Sequence, residues 1–126
     1  MELFLDINSD LPLYQQIRNQ VILGLAEGEL RNHETLPSTR QLAADFGINF
    51  HTVNKAYDML RQEGILSVNR KTGAVVAIQS PPDFRGRWRE SARIWLAEAV
   101  VKGLGKDEIL AECEALMSAF CQPEPE

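Results

Sequence analysis

The sequence lacks any apolar run that approaches the roughly 18 to 20 residues needed to cross a bilayer. Its start, residues 1–6, has neither the basic flank nor the long apolar stretch of a secretory signal. These two absences predict no membrane partner and no export. We therefore expect the protein to work in the cytoplasm.

Cysteine is also scarce, with only Cys113 and Cys121 in the chain. The pattern places both in one predicted helix, where eight residues separate them by about 12 Å, too far for a disulfide. A chain without a disulfide framework suits a reducing compartment. Neither these cysteines nor His33 and His51 have the spacing of a metal site, so we predict no metal and no cofactor.

Motifs of catalysis are missing as well. Residues 103–106 lack the four-residue spacer and the following Ser or Thr of a phosphate-binding loop, so they are more simply a helix break. No Gly-x-Ser-x-Gly nucleophile elbow occurs. The carboxylates of residues 107–114 suit a solvated helix surface. We predict that the protein is not an enzyme.

The composition that is present favours a globular protein. With 126 residues, 44% of them hydrophobic, the chain has room for one ordinary domain, or a small domain plus an appendage. A net charge of −5 argues against a partner held by overall charge alone. Residues 36–79 carry five basic against three acidic side chains, whereas residues 98–126 carry two against seven. A polyanionic partner would therefore meet the middle segment.

Apolar side chains recur every three or four positions in five segments, which is typical of amphipathic helices. The first helix is predicted to begin at Asp10 and Pro12, with Asp10 as its cap, and to end at Gly28. Ser38 followed by Gln41 predicts a capping box on the second helix. Asn49 caps the third, whose apolar stripe lies within residues 53–60. Two short helices joined by a tight turn form a helix-turn-helix.

A wing follows this pattern. Residues 65–68 and 74–78 are short β-branched runs around a polar turn at 69–73, which predicts a hairpin. Residues 1–79 are thus predicted to form a winged helix-turn-helix domain, mainly α with a small β-hairpin. Ser80-Pro81-Pro82 breaks regular structure and marks the boundary.

Residues 80–126 predict a two-helix C-terminal arm with a disordered tail at 122–126. Two amphipathic helices of this size cannot bury both of their aromatic-rich faces against each other. We expect a second copy of the chain to cover them. The predicted dimerisation residues are Phe84, Trp88, Trp95, Leu116 and Phe120.

Several of these motifs together resemble the GntR-type bacterial transcription regulators, most closely their small YtrA-like branch. In chain order they are Pro12-Leu13-Tyr14 with Gln16-Ile17, Gly28-Glu29-Leu30, Leu36-Pro37-Ser38-Thr39-Arg40 with Leu42-Ala43, residues 49–53, Ala56-Tyr57 with Leu60, and Glu63-Gly64. The resemblance implies a winged helix with a short dimerisation arm, and a homodimer that binds double-stranded DNA, usually as a repressor. This sequence departs from the family at His33, where Gly is usual, and at Phe50, where many relatives carry Arg and the YtrA-like branch often Pro. In the wing it departs at Lys71 and Val75.

The candidate DNA-contacting residues lie at the start of the second helix, in the first two turns of the third, and at the wing tip. They are Ser38, Thr39 and Arg40; Asn49, Phe50, His51, Thr52, Asn54 and Lys55; and Arg70, Lys71, Thr72 and Gly73. Polar side chains near a helix N-terminus reach base edges, and wings contact the backbone or the minor groove. We expect Asn54 and His51 to read bases, and Phe50 to touch a thymine methyl. Plainer interpretations stay open: Asn49 and Thr52 as caps only, His51 and Arg40 as surface side chains, and the wing tip as a solvated turn.

A basic and aromatic stretch at residues 85–93 superficially suggests nucleic acid. We favour a solvated arginine face that pairs with the acidic fifth helix, with the tryptophans in core or dimer contact. A small, mostly apolar effector, if one acts, would bind between the arm and the winged helix. The residues for such a pocket are Phe84, Arg87, Trp88, Arg93 and Trp95. The alternative is that these aromatic side chains are packed core and that regulation follows protein concentration alone.

The sequence therefore predicts a sequence-specific DNA-binding transcription regulator that acts as a homodimer on a pseudo-palindromic operator. The alternative is a winged-helix module that binds protein and not DNA, which the overall acidity would suit. A single positive surface formed by the third helix and the wing would distinguish the two.

Overall fold

The computed structural model describes residues 2–71 and 73–121. Within them the elements are, in chain order, α1 (Leu13–Glu27), β1 (Thr35–Leu36), α2 (Thr39–Phe46), α3 (Phe50–Gln62), β2 (Leu66–Asn69), β3 (Gly73–Val76), α4 (Phe84–Val101) and α5 (Lys106–Met117). The chain divides into two compact units, residues 1–79 and 80–126. The predicted tail at 122–126 and Thr72 of the wing lie outside the described residues.

The core of the first unit lies where α1 and α2 pack against α3. Ile17 and Val21 of α1 and Val53 and Leu60 of α3 have no exposed surface, as their periodicity predicts. Burial of each such aliphatic side chain favours folding by about 1.5 to 3 kcal/mol. The apolar face of α3 is thereby fixed inward, and its opposite face is left in solvent.

A three-stranded antiparallel sheet closes this core, with β3 between β1 and β2. Leu66 pairs with Val76 and Asn69 with Gly73, so the predicted hairpin is confirmed within a residue or two at each end. Ala74 and Val76 point into the core. The sequence does not predict β1, because its two residues are too few to show an alternating pattern. The winged helix-turn-helix fold itself is confirmed.

The entry to α1 differs from the prediction that Asp10 caps it. The N-cap position is Pro12, without a side-chain cap, and the Pro12 carbonyl accepts from the Gln15 and Gln16 N–H groups. The buried Gln16 amide donates instead to the carbonyls of Asp6 and Leu11. A side chain inside the helix therefore organises the entry, which no local cap signal reveals.

The caps of α2 and α3 are partly as predicted. The Ser38 hydroxyl accepts from the Gln41 N–H at 3.1 Å, but the Gln41 amide donates to Asp45 at 2.8 Å, so the reciprocal half of the capping box is wrong. An i,i+4 carboxylate is the alternative partner that draws the amide away. The Asn49 side chain accepts from the His51 N–H at 2.9 Å, as expected of a cap.

His33 is the one described non-glycine residue with a positive φ, 75°. Its N–H donates to the Val76 carbonyl at 2.8 Å, so the turn before β1 is tied to the end of β3. A side chain in the left-handed region is strained, and glycine is not.

Substitution of His33 should reveal the strain of its positive φ. We expect His33→Val to lower the free energy of unfolding by about 1 to 2 kcal/mol, and the matched His33→Gly variant to be neutral or slightly stabilising. Urea unfolding of the two variants measures the difference. Equal midpoints would contradict a strained turn.

The second unit consists of α4 and α5. The predicted break at residues 103–105 is confirmed, with Gly103 at φ 102°. No residue of either helix is fully buried. Ala92 and Ala99 of α4 are half-buried, as are Ile109 and Cys113 of α5.

Two expectations for the arm are corrected. Helix α5 ends at Met117, so Phe120 and Cys121 lie beyond it, and the two cysteines do not share a helix. The Ser118 hydroxyl donates to the Ala115 carbonyl there, a local bond that competes with continued helix.

The pairing of α4 arginines with α5 is also wrong. Arg87 pairs with Asp83 and Arg93 with Glu90, and no ion pair in the described part of the chain joins α4 to α5. Carboxylates one helical turn away are nearer than those on α5.

None of the described helices has the length and apolarity that crossing a membrane requires.

Candidate nucleic-acid interface

The turn between α2 and α3 brings the first turns of both helices together. Gly47 adopts φ 63°, and the Ile48 N–H donates to the Ala43 carbonyl. The side chain of Arg40 thereby reaches Phe50, with its guanidinium carbon 5.1 Å from the ring centroid. On the same stretch, the rings of Phe50 and His51 lie 4.2 Å apart, tilted by 35°.

These three side chains form a stack of Arg40, Phe50 and His51 at the N-terminal end of α3. Phe50 is half-buried and packs against the core, so its ring is a fixed platform. Arg40 and His51 are exposed. A guanidinium over an aromatic face is attracted by the ring quadrupole, by about 0.5 to 1 kcal/mol at exposed sites. The platform therefore restricts where the Arg40 charge can point.

An open groove of about 430 Å³ runs beside the exposed face of α3. Its lining combines α2, α3 and β2: Thr39, His51, Asn54, Lys55, Tyr57, Asp58, Arg61 and Val68. The first four are among the DNA-contacting residues that the sequence predicts. It misses the others, although Asp58 and Arg61 follow Asn54 at i+4 and i+7 and so share its helical face.

Tyr57 fixes the floor of this groove. Its hydroxyl donates to the Pro37 carbonyl at 2.7 Å, and burial raises the pKa of the phenol well above its usual value. The bond ties α3 to the segment that precedes α2. Because Pro37 directly precedes Ser38, this hydrogen bond from a core residue also fixes the position of the first turn of α2.

The charges on the groove are not all available to a ligand. Arg61 is paired with Asp58 at 2.6 Å, so its charge is largely compensated. The Lys55 ammonium lies 4.0 Å from the centroid of the Tyr14 ring of α1. It keeps its positive charge on the surface, because an aromatic ring does not neutralise it.

The wing carries two exposed basic residues, Arg70 and Lys71, directly after β2. The Lys71 N–H donates to the Asn69 side chain at 2.9 Å, and Gly73 begins β3 with φ 71°. Val68 lines the groove, and Arg70 follows it by two residues, or roughly 7 Å along a strand. The wing tip therefore lies only two residues along the chain from a residue that lines the groove.

Two candidate residues serve local structure. Ser38 and Asn49 accept the capping hydrogen bonds of α2 and α3, which is the plainer interpretation raised for Asn49. Thr52 is half-buried.

Among the described residues no cluster of His, Cys, Asp and Glu is arranged to hold a metal ion.

The three-helix core, the hairpin and the exposed face of α3 define a winged helix-turn-helix protein. Residues 13–76 match the family described as bacterial regulatory proteins, gntR family, and this chain belongs to that family. The HTH-type transcriptional regulator Rv1152 of Mycobacterium tuberculosis is 30% identical over 83% of this chain and 85% of its own.

Solved structures agree with this assignment. YtrA from Sulfolobus acidocaldarius, a GntR-family transcription factor, is 36% identical with a TM-score of 0.58, over 92% of this chain and 97% of its own. The resemblance to the YtrA-like branch is thus confirmed. A second structure, AraR(DBD) in complex with operator ORE1, is 26% identical with a TM-score of 0.51, over 61% of this chain and 94% of its own.

The lengths of the relatives vary widely. This chain spans 87% of the length of the regulator YhcF of Bacillus subtilis but 15% of that of YdeL from the same organism. Both Rv1152 and the Sulfolobus YtrA are named as transcription regulators.

Proposed function

We propose that this protein is a sequence-specific DNA-binding transcription regulator that works in the cytoplasm as a homodimer on a pseudo-palindromic operator. The observation that carries the proposal is the exposed face of α3, with the stack at its start, the groove beside it and the basic wing tip two residues beyond the groove residue Val68. Arg40, Lys55, Arg70 and Lys71 are exposed positive charges on these elements of a protein whose net charge is −5. A local basic surface of this kind is what a phosphate backbone attracts.

In this proposal α3 enters the major groove with its N-terminal turns. Asn54 and His51 read base edges, and Arg40 contacts a phosphate or a guanine from the start of α2. Arg70 and Lys71 contact the backbone or the minor groove with the wing. The structure of AraR(DBD) bound to its operator supports DNA as the partner, since its fold is similar.

The exposed apolar residues of the arm support the homodimer. Phe84, Trp88, Trp95 and Leu116 are each at least half exposed in the single chain. A stable subunit interface covers such surface, and two-fold symmetry would place two α3 helices on successive major grooves about 34 Å apart. Phe120, the fifth residue proposed for this interface, lies beyond the end of α5 and is half-buried.

We assign repression as the regulatory outcome, because the YtrA protein of Bacillus subtilis, 36% identical over 58% of this chain, is named a repressor.

The residues considered for an effector pocket are widely exposed on α4. They are Phe84, Trp88 and Trp95, with Arg87 and Arg93. That exposure suits a subunit interface better than an enclosed effector pocket. Operator occupancy then follows the concentration of the protein.

An electrophoretic mobility shift with random-sequence duplex at low salt tests the proposal first. A shift that weakens with added salt is expected for a DNA-binding protein. Selection of bound sequences from a random pool then yields the half-site and its spacing. Absence of any shift at low salt would favour the protein-binding module.

Base recognition by α3 gives a sharper expectation. Replacement of Asn54 and His51 by alanine should change the ranking of single-base operator variants, because each good contact is worth about 1 to 3 kcal/mol of discrimination. Asn8→Ala is the matched control, since Asn8 is exposed before α1 and is not among the residues that line the groove. Binding to a panel of operator variants measures the ranking. An unchanged ranking would assign specificity to DNA shape.

A further inference from the structure

An acidic side chain lies on the side of α3 that we propose to meet DNA. Asp58 follows Asn54 by four residues and His51 by seven, so the three lie along one side of the helix. Asp58 lines the groove together with these two residues and with Arg61. A carboxylate in this place repels phosphate and lowers the attraction of the groove for any DNA.

Both carboxylate oxygens of Asp58 hold neighbouring side chains. Oδ1 accepts from Nε of Arg61 at 3.0 Å and from its Nη2 at 2.6 Å, and Oδ2 accepts from the Gln62 amide at 2.9 Å. Two hydrogen bonds from one guanidinium fix its orientation as well as its charge. The Arg61 side chain is nevertheless 51% exposed. It is therefore a cation at the surface that is held against its own helix.

We propose that Asp58 is a specificity-determining residue, which lowers the affinity for DNA of unrelated sequence by holding Arg61 away from phosphate. This inference rests on the proposed DNA-binding function and assigns a further residue to it. Asp58 acts through Arg61, so it is a positioning residue and does not itself contact DNA.

The effect of Asp58 should fall mainly on non-specific binding. Binding to unrelated sequence comes almost entirely from phosphate contacts, which many poses on the duplex can offer. A released Arg61 would gain such a contact in many of these poses. On the operator, base contacts by Asn54 and His51 fix α3 in one pose, so Arg61 gains a contact only if that pose places a phosphate within reach. The ratio of operator affinity to non-specific affinity is therefore highest while Asp58 holds Arg61.

Lys55, on the same side of α3, shows the contrast. Its ammonium lies 4.0 Å from the centroid of the Tyr14 ring. An aromatic ring positions a cation without cancelling its charge. Lys55 thus keeps its attraction for phosphate, whereas that of Arg61 is offset by Asp58.

Removal of the Asp58 charge tests the inference. Asp58→Asn keeps the size of the side chain and should raise the affinity for random-sequence duplex by about 10 to 60 times at 0.1 M salt, because a dimer gains two phosphate contacts. The slope of log K against log salt should steepen by up to about 1.8. Affinity for the selected operator should rise by less than about threefold, so the specificity ratio falls. Fluorescence anisotropy with both duplexes over a range of salt concentrations measures these three changes.

The matched control is Glu90→Gln on α4. Glu90 pairs with Arg93 at 3.3 Å, also three residues along a helix, and neither residue lines the groove. The substitution therefore removes the same charge and releases an arginine elsewhere. It should leave the specificity ratio unchanged. If it lowers the ratio as much as Asp58→Asn does, net charge is responsible and the inference is wrong.

A double-variant cycle separates the hold on Arg61 from simple repulsion of phosphate. In an Arg61→Ala background, Asp58→Asn should lose most of its effect on random-duplex affinity and on the salt slope. An equal gain in both backgrounds, or an unchanged specificity ratio in the single variant, would overturn the inference. A wild-type protein that binds neither duplex at low salt would reject the proposed DNA-binding function, and this inference with it.

Discussion

Replacement of Arg70 and Lys71 together by alanine should lower operator affinity by up to about 10³-fold at 0.1 M salt. Each lost phosphate contact reduces the slope of log K against log salt by about 0.9, and a dimer loses four contacts. The affinities of variant and wild type should converge as the salt concentration approaches 1 M. Fluorescence anisotropy with the selected operator over a range of salt concentrations measures both the slope and the affinity.

The control must remove the same charge from elsewhere. Lys102→Ala with Lys106→Ala does so on the arm, at the end of α4 and the start of α5. If the control lowers the slope as much as the wing variant, net charge and not the wing governs binding. Arg40→Ala should give about half the change in slope, because a dimer loses two charges. None of these three variants should change the free energy of unfolding, since all the side chains involved are exposed.

The effect of Arg40 on operator binding should depend on the Phe50 ring beneath it. Phe50→Leu keeps the half-buried packing but removes the aromatic face under the guanidinium. From the sequence, Phe50 is expected to touch a thymine methyl. The stack supports a further proposal, in which Phe50 positions the charge that α2 contributes.

The parts of the fold that sequence predicts are local. Periodicity fixes which face of α3 is buried, and Ser38, Asn49 and Gly47 mark helix ends through hydrogen bonds and dihedral angles within a few residues. The hairpin is similarly local, since β2 and β3 are joined by a short turn.

The parts that sequence does not predict depend on distant contacts. Strand β1 exists because Leu36 pairs with Ala74, far along the chain. The groove needs Val68 of β2 beside Arg61 of α3, and no spacing rule connects a strand to a helix in that way. Phe50 and Arg40 meet because the turn at Gly47 folds α2 onto α3. Side-chain geometry of this kind follows from tertiary packing.

Truncation after Gln79 should give a folded monomer that binds the full operator about 10² to 10⁴ times more weakly than the intact protein. The fragment should fold, because every buried hydrophobic residue in the described part of the chain lies between Leu3 and Val76. It should not dimerise, because the exposed aromatic side chains of α4, Phe84, Trp88 and Trp95, are gone. Two linked domains gain affinity through effective concentration, and a monomer loses that gain without losing any contact to its half-site.

The half-site provides the internal control for this truncation. Fragment and intact protein should bind an isolated half-site with similar affinity, since the α3 surface and the wing are the same in both. Sedimentation velocity of the fragment, together with binding to one and two half-sites, separates the two effects. A fragment that sediments as a stable dimer would place the interface within residues 1–79. A fragment that binds the full operator as tightly as the intact protein would show that the two half-sites are not engaged together, and the arm would then serve an interaction other than operator recognition.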